Sequence, residues 1–362
     1  MSKVQGNRHA FSLDDASISY PYSENETVSD TVLITVSILA PAAIIGIICL
    51  IFVPGPTAPR GTPLSQTFWR KFWECHTGWL GLGVALSGAF MVTQGLKDIY
   101  GKPRPDLLGR CQPDLSKLAQ YAVGGLGQQF GEAPVLVDSR ICRQSDSSVL
   151  SDGFASFPSG HASFSWAAFT YLTLFLCAKF AITIPFLTPA AYHEADTTAF
   201  HGTGAERVAA RNRAAAPPLY LLVLAFVPLG AAFYISGTRY SDYKHHGFDI
   251  LFGSILGFVF AWFGFRLYHL PIRQGAGWSW GPRTRSRAFY LGLGVPSYVG
   301  DEGWESANAA RSGRLDLESG ANMNGHGMSD RSDASITNDR TNNIGMVDSP
   351  AHSKDAADEA RV

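Results

Sequence analysis

The sequence lacks the common signatures of soluble enzymes. None of its five cysteines stands in a CxxC pair, which excludes the usual structural zinc site. It has no Walker loop and no HExxH, so neither P-loop nucleotide hydrolysis nor zincin chemistry is supported. No internal repeat is visible. The net charge of -1 leaves no basic excess for nucleic acid. Charge is also nearly absent from five long apolar stretches, at 32–53, 79–96, 162–184, 219–235 and 250–267, where only Lys179 and Arg266 intervene. Aromatic residues are scarce beyond Tyr298. The hydrophobic content of 46% and mean hydropathy of +0.03 are those of a soluble protein, but the average hides this segregation.

A bilayer core of about 30 Å needs roughly 20 apolar residues in a helix, and each stretch is near that length. Pro54-Gly55-Pro56 ends the first and Pro185 ends the third. Gly, Ala and Ser in the second, and Gly253, Gly257 and Gly264 in the fifth, suit close helix packing in lipid. The expected fold is all-α, a polytopic transmembrane helical bundle of five spans with a disordered C-terminal tail. The tail is too poor in apolar residues to fold, and 188–217 reads as a flexible Ala/Thr/Gly loop. Lys and Arg concentrate in the first and third connections and after the fifth stretch, which places those segments in the cytoplasm. The second connection, 97–161, and the fourth, 236–249, then share the opposite face. The resulting division is a non-cytoplasmic segment 1–31, a membrane domain 32–270 and a cytoplasmic tail 271–362.

Polar residues at the edge of membrane spans are costly and are functional candidates. Three clusters occur, all in the two outer connections. In the first, Lys97 continues the second span, Gly101 and Pro103 end the helix, and Arg104 follows. A point charge and a planar fork can converge there on one anion, although two cations snorkelling at a helix end give the same pattern. The second is Pro158-Ser159-Gly160-His161, just before the third span. Ser159 is a good N-cap, Gly160 admits close approach of a ligand, and free amides at a helix start bind phosphate. His161 in the first turn is a candidate proton donor, or simply an interfacial histidine. In the third, Arg239 precedes the pair His245-His246 and then Asp249. A carboxylate on one ring nitrogen would present the other as base or nucleophile. Helical spacing puts His245 on the face of Asp249, and His246 is near enough to compete. A metal site is the alternative, without further Asp, Glu or His nearby to complete a shell.

In order and on one membrane face, Lys-x6-Arg-Pro, Pro-Ser-Gly-His and Arg-x5-His-x3-Asp resemble the signature of the type 2 phosphatidic acid phosphatase superfamily. The stretches Gly101-Lys102-Pro103-Arg104-Pro105-Asp106 and Arg110-Cys111-Gln112-Pro113 are similar to its fungal members acting on phosphatidate and diacylglycerol pyrophosphate. The resemblance implies His245 as nucleophile, Asp249 as the carboxylate orienting it, and His161 as general acid. It implies Lys97, Arg104 and Arg239 as a phosphoryl clamp, with Ser159 and Gly160 adding hydrogen bonds, and no metal or other cofactor. Thr238 stands where the family usually has serine. The family has six spans with both ends cytoplasmic; the first is the one not counted here, and 11–31 resembles the family's outer loop between its first and second spans.

The implied partners are membrane lipid phosphates and the bilayer, with no nucleic acid and no obligate protein partner. Sphingoid-base phosphates or polyprenyl pyrophosphates are alternative substrates, and a non-catalytic membrane scaffold is the alternative of another class. Cys111 and Cys142 share one outer connection, in a compartment that permits oxidation, and are expected to form a disulfide.

Overall fold

The computed structural model describes residues 6–54, 62–131, 133–184, 216–273 and 277–281, and the five apolar stretches lie on five long helices. Helix α1 (Asp30–Phe52) starts at Ser29, whose hydroxyl accepts from Val32 N–H. Helix α2 (Leu64–Tyr100) ends at Gly101, whose φ of 57° only glycine adopts freely, with its N–H on Lys97 O. Helix α3 (Gly160–Lys179) is capped by Ser159, which accepts from Ala162 N–H. Helix α4 (Leu219–Ser241) and helix α5 (Gly247–Tyr268) complete the bundle. Helix α2 runs well beyond the expected 79–96, because its first turns carry Arg70, Lys71 and Glu74 and remain helical outside the apolar core. The expected tail beyond Tyr298 lies outside the described residues, as does nearly all of the loop at 188–217.

Helices α1, α2, α4 and α5 are long and apolar enough to cross a membrane. The other expected span, α3, has 20 residues, about 30 Å of helix, but does not reach their apolarity. Position explains this. Helix α3 touches all four others, and fifteen of its twenty residues are buried, so it packs Ser, Thr and Tyr against protein rather than lipid. The outer helices instead turn Leu39, Leu50, Val227 and Leu251 outward.

Glycines set the closest contact. A Cβ at Gly253 would lie 2.6 Å from Ser159 O, and one at Gly257 would lie 2.4 Å from Ser163 O. Helix α5 therefore lies backbone to backbone against the start of α3. At the far end Lys179 pairs with buried Glu74, which also accepts from Ser279 N–H and Oγ at 3.1 and 2.8 Å. Leu270 N–H donates to Trp278 O and Trp280 N–H to Tyr268 O, so residues assigned to the tail from sequence hydrogen-bond back to the end of the membrane domain.

Over the other end lies a small subdomain built from the connection between α2 and α3 and from the N-terminal segment. It holds short helices at Leu107–Cys111 and Ser147–Gly153. Strands β1 (Phe11–Ser12), β2 (Ala122–Gly124) and β3 (Leu136–Val137) form an antiparallel sheet in the order β1-β3-β2. These strands are too short to show a period of two in the sequence, and an all-α reading passes over them. Phe11, Ile18, Leu107, Val137, Ile141 and Phe154 form its core. Cys111 and Cys142 are joined by a disulfide, with Cα atoms 4.6 Å apart and 31 positions between them in sequence.

A bridge closing a loop of that length stabilises by about 3–4 kcal/mol in the chain-entropy account. Reductant should therefore lower the thermal midpoint of the protein in detergent micelles. A Cys111→Ser/Cys142→Ser variant should melt at the lower temperature and be indifferent to reductant.

Candidate active site

The three polar clusters meet at the end of the bundle beneath this subdomain. Helix α3 begins there, and its first residue, Gly160, faces Lys97: a Cβ at 160 would sit 3.4 Å from Lys97 Nζ. The Lys97 ammonium makes no hydrogen bond or ion pair among the described residues; only its backbone is bonded, its carbonyl accepting from Gly101 N–H within the helix end. Arg104 is buried, with Nη2 on Asp152 at 2.6 Å and Nε without a partner among the described residues. Burial alone would raise Asp152, but Arg104 and Arg110 outweigh it and hold that carboxyl below the usual range. Ser159 is fully buried, and its N–H donates to Asp249 O at 3.0 Å, tying the α3 start to α5.

His245 is 3% exposed, and its Nδ1 lies 2.6 Å from the carbonyl oxygen of Ser156. A carbonyl only accepts, so Nδ1 carries the proton and Nε2 keeps its lone pair. Burial, with the charges of Arg104 and Lys97 beside it, pushes His245 well below the ordinary histidine value. The imidazole is therefore neutral at pH 7. His161 Nε2 lies 3.0 Å from Val28 O, which by the same argument places a proton on Nε2, and 3.7 Å from Asp30 Oδ1.

Asp249 does not hold His245. Its Oδ2 lies 3.2 Å from His246 Nδ1 and 3.3 Å from His246 N, and accepts from Ser156 Oγ at 2.6 Å, while Oδ1 accepts from Lys102 at 2.7 Å. The expectation failed because four-residue spacing makes one face only inside a helix. Helix α5 starts at Gly247, with His246 as N-cap and Asp249 at N3 in a capping box, and His245 lies before it. The link from Asp249 to His245 runs instead through Ser156, whose hydroxyl holds Asp249 and whose carbonyl holds His245.

Arg239, 1% exposed, closes the site from α4. Its Nη1 donates to Glu26 at 2.8 Å and its Nη2 to Asp242 at 2.9 Å. Thr238, in the family's serine position, lies 3.4 Å from Nε and from Nη2 through its hydroxyl. Glu26, Lys102, Asp152, Ser156 and Asp242 were missed from sequence. Lys102 and Asp242 stand inside the clusters and were open to detection there; Glu26 is one acid in a polar segment and gives no signal. Among the described residues no group of three His, Cys, Asp or Glu side chains is placed to hold a metal ion. Beside the site an apolar groove of about 550 Å³ runs between α4 and α5 over Trp166, lined by Phe233, Ser236, Ile250, Leu251 and Phe258. Ser236 lies one turn before Arg239 on α4, so the groove reaches the charged end of the bundle.

The chain is similar in sequence to several known proteins. Diacylglycerol pyrophosphate phosphatase 1 of Saccharomyces cerevisiae is 29% identical over 262 residues, covering 72% of this chain and 71% of that one. Lipid phosphate phosphatase 1 of Arabidopsis thaliana is 30% identical over 251 residues, 69% of this chain and 61% of its own. Lipid phosphate phosphatase 1 of S. cerevisiae is 27% identical over 262 residues, 70% and 76%. No solved structure matches the chain. Residues 77–273 match the PAP2 superfamily, a span that opens inside α2, closes just past α5 and takes in every residue of the three clusters; the chain belongs to that superfamily.

Proposed function

We propose that this protein is a membrane-embedded lipid phosphate phosphatase that passes the phosphoryl group to His245 and then to water, without a metal. One observation carries the reading: a neutral, buried imidazole with its Nδ1 tied to a carbonyl lies under the charges of Lys97 and Arg104 at the start of a capped helix. In the first step the Nε2 lone pair of His245 attacks phosphorus. The bond from phosphorus to the lipid oxygen breaks, and His161 protonates the departing alkoxide. In the second step water attacks the phosphohistidine, gives its proton to His161, and releases phosphate and neutral His245. Lys97, Arg104, Arg239, Ser159 and the amide of Gly160 hold the phosphoryl oxygens. Positioning and charge stabilisation do most of the work in phosphoryl transfer, and three cations supply here what a metal supplies elsewhere. Asp249 keeps its place in the machinery through Ser156.

The names of the fungal and plant relatives support diacylglycerol pyrophosphate and other lipid phosphates as substrates, and within that class we propose phosphatidate and lysophosphatidate as well. The groove beside Arg239 supports an acyl chain lying against α4 and α5 with the phosphate at the charged end. The membrane domain is placed at 32–270, between an outer segment 1–31 and a cytoplasmic tail 271–362. We assign the site to the non-cytoplasmic face, a reading supported by the Cys111–Cys142 bridge, which suits an oxidising compartment, and by the arginine-rich connections, which suit the cytoplasm.

Phosphate release from these three lipids in detergent micelles containing EDTA tests the reading. His245→Ala should cost more than about 10³-fold in kcat, whereas His246→Ala, which removes a capping contact worth about 1 kcal/mol, should stay within about tenfold. Loss of activity in EDTA restored by magnesium would contradict it. The pH profile supplies a second check. The reactive form of His245 is the neutral one and its pKa lies well below 6.5. The acid limb of kcat/KM, corrected for ionisation of the substrate, should then fall below pH 6.5. A limb at or above the ordinary histidine value would contradict the assignment.

A further inference from the structure

The N-terminal segment reaches into the site at more points than a covering loop requires. Glu26 Oε2 accepts from Arg239 Nη1 at 2.8 Å, and Glu26 Oε1 lies 3.3 Å from Lys244 Nζ. The next residue, Thr27, donates from N–H and Oγ1 to Asp242 at 2.9 and 2.7 Å, and Asp242 holds Arg239 Nη2. Val28 then offers its carbonyl to His161. Three consecutive residues thus touch the partners of the clamp arginine and the proposed proton donor. Both terminal nitrogens of the Arg239 guanidinium are held by carboxylates, one from the residue that caps its own helix and one from 213 positions away.

We propose that Glu26 is a positioning residue for phosphoryl transfer, fixing the Arg239 guanidinium from the side opposite Asp242 so that its remaining N–H groups meet the phosphoryl oxygens. The proposal rests on the role given above to Arg239. A guanidinium is planar, and two carboxylates on its two ends leave it little freedom to swing. Without Glu26 the side chain keeps only Asp242 and the long contacts to Thr238, and it rotates toward them. A clamp displaced by about 1 Å costs on the order of 100-fold in rate. Glu26 touches no substrate in this scheme. It acts through Arg239, and the neutral Gln, which keeps an acceptor oxygen, should largely replace it. The rival idea is that Glu26 occupies Arg239 as a competitor for phosphate, and it makes the opposite prediction for anion binding.

The experiment uses the full chain in detergent micelles, with phosphatidate turnover and inhibition by inorganic phosphate measured together. Glu26→Ala should lower kcat by about 10- to 100-fold and weaken inhibition by inorganic phosphate, while Glu26→Gln retains activity within a few-fold. In an Arg239→Lys background, Glu26→Ala should have almost no further effect, since the group it positions is gone. Thr27→Val should shift both readouts in the same direction as Glu26→Ala and by less, and it carries the test with Glu26→Gln if Glu26→Ala does not fold. Unchanged or tighter phosphate inhibition in Glu26→Ala overturns the proposal in favour of competition. Effects that multiply with Arg239→Lys, or a Gln variant as impaired as Ala, overturn it in favour of a purely structural role. Full activity of Arg239→Lys alone would instead bring down the reading of the clamp itself, a result distinct from any failure of Glu26.

Discussion

Everything at the charged end of this bundle follows from holding positive charge out of water before any phosphate arrives. Arg104, Arg110, Arg239 and Lys244 are each no more than 6% exposed. Desolvating such a group costs several kcal/mol unless a partner stands against it. Each has one: Asp152 for Arg104 and Arg110, Asp106 for Arg110, Asp242 and Glu26 for Arg239, and Glu26 again for Lys244. Several of these carboxylates come from outside the long helices, from the N-terminal segment and from the connection between α2 and α3. The subdomain is therefore more than a cover. It supplies the counter-charges that let the cations stand close together, and its small core and disulfide hold those carboxylates in register. Lys97 is the exception: its ammonium, over the first residue of α3, has no ion pair or hydrogen bond among the described residues.

The second determinant is how close α5 comes to α3. The absent side chains of Gly253 and Gly257 let the α5 backbone lie against Ser159 and Ser163. That contact brings the residues before α5, His245 among them, to the start of α3. A phosphoryl group placed there meets free helix amides, a neutral imidazole with a directed lone pair, and cations already oriented, so little reorganisation remains at the moment of reaction. Ser156 joins the two halves, its hydroxyl on Asp249 and its carbonyl on His245.

What the sequence made legible divides along physical lines. The five long helices, the caps at Ser159 and Gly101, and the three clusters were readable because they rest on local rules: apolar length, N-cap chemistry and left-handed termination. The near approach of Lys97 to Gly160 followed from putting both clusters at one end. The direct contact of Asp249 was misjudged because helical spacing was applied across a helix start, where His246 and not His245 takes the capping position. Helix α3 was counted as a span like the rest, yet it is the buried centre, and its Ser and Thr content was the available sign. Glu26, Asp152 and Ser156 were out of reach. Their partners are 42 to 218 positions away, and an acid or a serine in a polar connection carries no local mark of the cation or histidine it will meet.

The central claim is that His245 itself becomes phosphorylated. The direct measurement is to mix enzyme with substrate for a short time, quench in alkali, which preserves phosphohistidine, and locate the modified residue by mass spectrometry. The account predicts a phosphoryl group on His245 that accumulates when water attack is slowed by a His161 variant and is absent from His245→Ala. A phosphoryl group on His246 or His161 instead, or full turnover by His245→Ala, would contradict it.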